Sequence, residues 1–561
     1  MNAPGGLRDR RRPLREGGPE AAKLEGHPRA PAAAPESAQT SGRRRTTLLW
    51  VLALAALYFA QSLPRLGKVP RAIMDESWES CTGYALAYEG RLRNPVIKGR
   101  DGIDRAFVQP RIMQSLVLAA TYRLLGVSLW AGRMASVLVG LGAVLGVFYL
   151  IRTWLSPHAA GLAALLFSVE TQFFILSRTV RPEVYLVCAS VWCMALLARG
   201  TSRGSMRRCF AAGVVGAVGC YTHPNMAIFA AAGVVLILYQ VGLCRRMLAA
   251  LGCYAAGGIL GVVPFLGYVA YAQARHDVSF CEQLGTYYYT QVAEDPVGDI
   301  LLREKKRWCG YLRPVYRAPW VLIVAASVVA GLLRRHPAQV WALFLLLGHL
   351  LLMPVLIRML SCRYLVVLSP WFAVLTTVWV VQLRQGAADS GRSPAGRRVR
   401  RFLTVGSVAS WLAVQVVGNA VLLHAYRNAD YDAVCRRIEQ NVAPGAKVCG
   451  SLVFWVGLHD HPYLCQFNEP VFTDDLAVPL LRSRIRQFAP DYIIRSSDAC
   501  MTLGGLGPRP TELEHRDGRR SRSFLARRAT FVDRLLERRG ELLDEFVTSD
   551  FGTIEVYRIR T

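Results

Sequence analysis

Apolar residues in this chain fall in blocks of near membrane-spanning length, separated by short polar or basic breaks, from Thr46 to His424. A bilayer core needs roughly 20 apolar residues in a helix. The first block, TTLLWVLALAALYFAQSL, meets this from Thr46. Further spans are predicted at Trp130–Ile151, Ala159–Leu176, Glu183–Ala198, Phe210–Tyr221, Met226–Leu243, Leu248–Tyr271, Ala318–Leu333, Val340–Ile357, Tyr364–Leu383 and Phe402–His424. The segment PRIMQSLVLAATYRLLG is interrupted by Arg111, Gln114 and Arg123. It predicts an amphipathic helix lying along the interface over 111–126. The expected fold class is therefore an α-helical polytopic membrane protein with about eleven transmembrane helices.

Two regions break this pattern. Residues 1–45 are rich in Arg, Pro, Ala and Gly with no period, which reads as a disordered tail. The apolar run starts too late for a cleavable signal peptide. From Ala425 the pattern becomes YDAVCRRIEQNV (helical), APGA (a turn), KVCGSLVFW and APDYIIRSS (short apolar runs), FVDRLLERRGELLDEF (helical spacing) and GTIEVYRIR (alternating). Such alternation predicts a small soluble α/β domain over 426–561.

Charge sets the expected orientation. The 561 residues carry a formal net charge of +28, with 53% hydrophobic residues and mean hydropathy +0.26. With the N-terminal tail inside, Arg152, Arg203/Arg207/Arg208, Arg245/Arg246, Arg334/Arg335 and Arg397/Arg398/Arg400/Arg401 all fall on the cytoplasmic side, as the positive-inside rule requires. The placement fits membrane topology, not a nucleic-acid groove. The other side receives the 65–110 loop, the 178–183 turn, His223, the Arg358–Arg363 turn and the C-terminal region. Of 14 cysteines, those inside apolar blocks read as small buried hydrophobes. Cys435, Cys449, Cys465 and Cys500 lie in the C-terminal region, where three pairings are open.

The chemistry-bearing motifs share that outer side. MDESWES places Asp75 and Glu76 together after the first span, and Tyr84, Gly90 and the turn Gln109-Pro110-Arg111 follow. LSRTVRPEVYL opens a later span, THPNMAIFA follows another, and SCRYLVVLSP lies near the last spans. This order over residues 46–425 resembles the GT-C membrane glycosyltransferases. It is similar in particular to glycosyltransferase family 39, the dolichyl-phosphate-mannose protein mannosyltransferases and lipid A aminoarabinose transferases. The resemblance implies transfer of a sugar from a polyprenyl-phosphate carrier, with inversion, outside the cytoplasmic membrane. The acceptor it implies is a protein hydroxyl or a glycolipid. Many relatives have Lys-Pro-Pro or His-Pro-Pro where this chain has Gln109-Pro110-Arg111; a basic group there is kept by Arg111.

Inverting transfer needs a carboxylate at the acceptor hydroxyl and positive charge at the departing phosphate. Asp75 suits the base, as the resemblance implies. Glu76 suits an acid that orients Asp75, a sugar ligand or a metal ligand; otherwise both acids are solvated loop residues, or one caps a helix starting at Ser77. Glu183 after Arg181-Pro182 suits a second active-site acid, or an acid favoured at any helix start. Arg178, Arg181 and Arg363 with Tyr364 are phosphate-contact candidates; interfacial anchoring is the alternative. His223 suits a sugar or phosphate contact, or a turn residue. Lys98, Arg105 and Arg358 are lesser cationic candidates. His459-Asp460-His461 has no third ligand at a recognisable spacing and reads as an exposed loop. Tyr287, Tyr288 and Tyr289 read as an interfacial aromatic segment. No nucleotide loop is evident, no cofactor is implied, and nothing in the sequence supports a divalent metal. The expected partners are a polyprenyl-phosphate sugar, a protein or glycolipid acceptor and the bilayer, with no nucleic acid. The expected place is the plasma (inner) membrane, multi-pass, with the C-terminal domain outside. A lipid or sugar transporter is the competing class. It predicts ionisable residues deep in spans and repeated halves, and the sequence shows neither.

Overall fold

The computed structural model describes residues 36–97, 101–288, 297–312, 317–334, 336–356, 362–388, 394–465, 483, 485–496 and 532–560. Residues 1–48 and 49–561 form two separately packed units. Within the first, only the start of helix α1 (Glu36–Ser62) is described; it begins ahead of the expected Thr46.

The second unit begins within α1 and continues through α2 (Met74–Tyr84), α3 (Ile112–Leu125), α4 (Leu129–Ile151), α5 (Pro157–Ser168) and α6 (Thr171–Leu176). Next come α7 (Pro182–Arg203), α8 (Met206–Cys220), α9 (Met226–Val241), α10 (Arg245–His276), α11 (Phe280–Tyr288) and α12 (Val297–Leu312). The last long helices are α13 (Ala318–Arg334), α14 (Pro337–Leu356), α15 (Ser369–Ala388) and α16 (Pro394–Ala425), with a 3-10 helix at Cys362–Leu368 leading into α15.

Among the described residues five stretches are long and apolar enough to cross a membrane: α4, α7, α10, Tyr364–Gln385 and α16. The bent pair α13–α14 makes a sixth if counted as one span. The α3, α5 and α9 helices are shorter apolar elements. Among the described residues, helices of that length do not reach the count of about eleven spans. One expected span, Ala159–Leu176, is broken at Glu170 for a visible reason. The Glu170 carboxylate accepts from the Phe173 amide at 2.8 Å and from Ser369 Oγ at 2.9 Å, so it caps a new helix.

Small residues set the closest helix contact. A Cβ on Gly213 of α8 would lie 2.0 Å from the Tyr254 carbonyl oxygen, and one on Gly257 of α10 would lie 2.0 Å from that of Phe210. Backbones therefore meet directly, as small residues allow in membranes. We expect Gly213→Val to push these helices apart and cost about 1–3 kcal/mol. A lowered melting temperature of the purified protein in detergent checks this, and an unchanged one contradicts it.

The expected acidic loop at 65–110 contains a real helix. In α2, Asp75 and Glu76 occupy the first turn, where acids favour the helix dipole. The chain then runs through a π-helix at Ala85–Glu89 that ends at Gly90, whose φ of 66° is left-handed and free of the Cβ penalty.

The C-terminal residues form helix α17 (Tyr431–Glu439), strands β1 (Val448–Gly450), β2 (Tyr463–Cys465), β3 (Tyr492–Ser496), β4 (Gly540–Thr548) and β5 (Gly552–Ile559), and a 3-10 helix at Leu452–Leu458. The sheet order is β2-β1-β3-β5-β4. The first three strands are parallel, and β5 runs antiparallel to β3 and β4. The expected helix over FVDRLLERRGELLDEF is only half right. Residues 532–539 are helical, and GELLDEF forms β4. A Cβ at Gly540 would meet the Leu536 carbonyl oxygen at 2.6 Å, so this tight switch needs glycine. The GTIEVYRIR strand and the APDYIIRSS strand are present as β5 and β3. The exposed loop expected around PRPTELEHRDGRRSRS lies outside the described residues.

This sheet layer packs on α2. Ser77 Oγ donates to the Val453 carbonyl at 3.1 Å. The Tyr84 ring meets Trp455 and His459 edge-on at 5.5 and 5.6 Å. Ala72, Cys81 and Leu129 share one apolar core with Phe454, Trp455 and Tyr463. Cys435, Cys449 and Cys465 are buried, and Cys500 lies outside the described residues.

Candidate active site

The starts of α2 and α7 bring three ionisable groups together. Arg181 donates from Nη1 to Asp75 Oδ2. Its other edge grips Glu183 through Nε–Oε2 at 3.0 Å and Nη2–Oε1 at 2.5 Å. Glu183 opens α7 behind Pro182, so the helix start itself aims the carboxylate back at Arg181. Asp75 is the most open member, with 33% of its side chain exposed against 1% for Glu183.

One helical turn after Asp75 lies Glu79, on the same face of α2. It is buried and paired with Arg111 Nη1. Burial raises its carboxyl to about 7, against the lowering pull of Arg111 and Arg181 and with the push of Asp75 and Glu183. Arg111 precedes α3 and is itself buried. His223 sits in the turn before α9, with Nδ1 accepting from the Asn225 amide at 3.2 Å. Burial holds its ring neutral, down to about 4, although Glu183 opposes the shift. The Tyr364 ring lies 6.3 Å from the His223 ring, and Tyr364 couples electrostatically to Arg181. One turn along α3 from Arg111, buried Gln114 has neither amide atom hydrogen-bonded among the described residues.

Six sequence candidates therefore meet: Asp75, Arg111, Arg181, Glu183, His223 and Tyr364. Two others are placed differently. Glu76 is 1% exposed and both its oxygens are filled. Arg133 donates to them at 2.9 and 2.8 Å, the Val180 amide at 3.0 Å and the Ile73 amide at 3.2 Å. Glu76 therefore anchors the start of α2 and the turn before α7, in place of the orienting or ligand role the sequence offers for it. Arg178 is corrected as a phosphate contact. Its guanidinium donates to the carbonyls of Val69, Gln61, Ser62 and Pro64 at 3.1, 3.0, 2.7 and 2.7 Å. Those bonds tie down the chain that leaves α1.

Arg363 belongs to the 3-10 helix beside Tyr364, and its side chain lies outside the described residues, as do Lys98, Arg358 and Tyr289. Tyr287 and Tyr288 end α11, with their side chains outside the described set. Arg105 is elsewhere, in an open cleft with Arg91, Arg93 and Arg275. His459 packs on Tyr84, and His461 is buried, so His459-Asp460-His461 is not the open loop expected. No three His, Cys, Asp or Glu groups among the described residues are placed to hold a metal.

Sequence reasoning missed Glu79 and Arg133. Glu79 was findable as the acid four positions after Asp75, once α2 is helical. Arg133 stands inside the apolar run LWAGRMASVLVG. A charge in such a run signals a buried partner.

This arrangement, with a carboxylate-bearing helix set against the heads of several apolar helices, is the fold of the GT-C membrane glycosyltransferases. The chain is similar to ArnT from Cupriavidus metallidurans bound to undecaprenyl phosphate: TM-score 0.60, 16% identity, covering 91% of this chain and 97% of that one. It is also similar to the archaeal oligosaccharyltransferase AglB from Archaeoglobus fulgidus in complex with an inhibitory peptide and a dolichol-phosphate. There the TM-score is 0.52 at 10% identity, covering 80% of this chain and 69% of that one. The sequence model of the family described as dolichyl-phosphate-mannose-protein mannosyltransferase matches residues 108–271. That segment includes Arg111, Arg181, Glu183 and His223, and it excludes Asp75 and Tyr364. No curated protein sequence matches the chain. The family match over residues 108–271 and the fold both agree with the resemblance drawn from the sequence.

Proposed function

We propose that this protein moves a sugar from a polyprenyl-phosphate carrier to a hydroxyl of a protein or glycolipid, on the extracytoplasmic side, with inversion at the anomeric carbon. The observation that carries this reading is the half-open Asp75 carboxylate held by Arg181 within a cluster of buried acids and guanidiniums. Asp75 takes the proton of the attacking hydroxyl. Arg181 and Arg111 face the departing phosphate, where charge accumulates in the transition state; Arg363 is the further candidate the sequence offers for that contact. Glu183 fixes Arg181, and neutral His223, Tyr364 and Gln114 offer hydrogen bonds to the sugar.

Sidedness is supported by how the charges sort. The opposite ends of the helices carry the basic loops. Arg246 donates to the Thr201 carbonyl at 2.7 Å, and Arg199 lies over the Tyr149 ring at 5.0 Å, so the C-terminal ends of α4 and α7 and the start of α10 share one basic end. The positive-inside rule sets that end in the cytoplasm. The C-terminal layer, packed on α2, then lies outside with the site.

The test is purified protein with radiolabelled polyprenyl-phosphate sugars of several kinds. Transfer of label to water-soluble peptide or to glycolipid, with release of polyprenyl phosphate, is the expected result. If no such carrier loses its sugar, the reading is wrong.

A further inference from the structure

Among the described residues the cluster holds three carboxylates, on Asp75, Glu79 and Glu183, and two guanidiniums, on Arg111 and Arg181. With all five ionised the sum is minus one. Of the neighbouring cations among the described residues, Arg133 is paired with Glu76 and Arg178 is bound to the carbonyls that follow α1, and His223 is neutral. A donor phosphodiester brings one more negative charge into a largely buried space, where unpaired charge costs several kcal/mol. The cluster's two described guanidiniums are already paired with carboxylates. When the phosphate takes one of them, the buried carboxylate it displaces is stranded unless it gives up its charge.

The geometry singles out which. Glu183 is held by two parallel bonds from Arg181, the strongest form of carboxylate contact. Asp75 is partly open to water and keeps its charge cheaply. Glu79 is buried and has Arg111 as its ion-pair partner. Around it stand Asp75 on its own helix, Glu183, Arg181 and Tyr185 at α7, Arg111 at α3, and Cys81 two residues on. The two carboxylates in that set repel its charge; Arg111 and Arg181 retain it.

We propose that Glu79 is the residue that releases Arg111 to the donor phosphate, and that it does so by taking up one proton as the donor binds. The inference rests on the polyprenyl-phosphate donor reading above. The proton comes from solvent and forms the carboxyl O–H of Glu79; no other bond changes. Arg111, released by Glu79, then contacts the phosphate, and these five groups with the phosphate keep a net charge of minus one. The raised carboxyl of Glu79 fits this role, since it is poised between its two forms near neutral pH.

The experiment measures binding of undecaprenyl methyl phosphate to the full chain in nanodiscs between pH 5.5 and 8.5. This diester carries one fixed negative charge, so the probe does not titrate. The protonated form of Glu79 dominates below about pH 7, and affinity is expected to be constant there. Above it, affinity is expected to fall, approaching tenfold per pH unit as for one linked proton. Glu79→Gln is expected to bind at every pH about as tightly as the parent does at low pH. Calorimetry of the unmodified protein in buffers of different ionisation enthalpy adds a readout that needs no variant: proton uptake on binding near pH 8. A pH-flat parent, a Glu79→Gln protein that keeps the slope, or binding without proton uptake at pH 8 overturns the proposal. Absence of binding at every pH overturns both this proposal and the donor reading. Binding that is pH-flat overturns this one alone.

Discussion

Asp75→Asn is expected to lower sugar transfer by roughly 10²–10⁴-fold, the usual weight of a positioned general base. Asparagine keeps the shape and one oxygen for Arg181 but cannot accept the hydroxyl proton. The loss therefore belongs in kcat, with donor affinity held within a few fold. The measurement is initial transfer rate against donor concentration, beside a melting curve to show an intact fold. A fully active Asp75→Asn protein rules out Asp75 as the base. Glu183→Gln offers a contrast: it loosens Arg181 and is expected to weaken donor binding as well as turnover.

Arg133→Met carries the largest expected effect on stability, about 3–5 kcal/mol. It strips Glu76 of two charge-assisted bonds and leaves a carboxylate with 1% exposure. The Ile73 and Val180 amides cannot offset that charge. Thermal unfolding in detergent checks it. The double change Glu76→Leu with Arg133→Met is expected to recover most of the loss, because replacing both partners by apolar groups removes the stranded charge. If the single change is neutral, the pair is not the anchor described here.

The helices that the chain's hydrophobic pattern foretells are those whose ends carry their own punctuation. α4 starts behind Ser128, which accepts from the Ala131 amide, and α7 starts at Pro182. Both lie within a residue of their expected starts. Convergence of Asp75, Arg181, Glu183, His223 and Tyr364 was legible because charge in the loops sorts turns to one side before any contact is known. What was not legible depends on partners distant in sequence. Nothing local shows that Glu76 meets Arg133 or that Arg178 is consumed by carbonyls of residues 61–69. Helical spacing misled at GELLDEF, where pairing with β5 overrides the local period. Glu170 shows the same limit in reverse: one acid in an apolar run cut a span that length alone would allow.

The contacts that seat α2 on Val453, Trp455 and His459 join positions almost four hundred residues apart in order of synthesis. The ribosome makes α2 early and its floor much later, so the helix that carries Asp75 completes its packing only after the 3-10 helix at Leu452–Leu458 has been made.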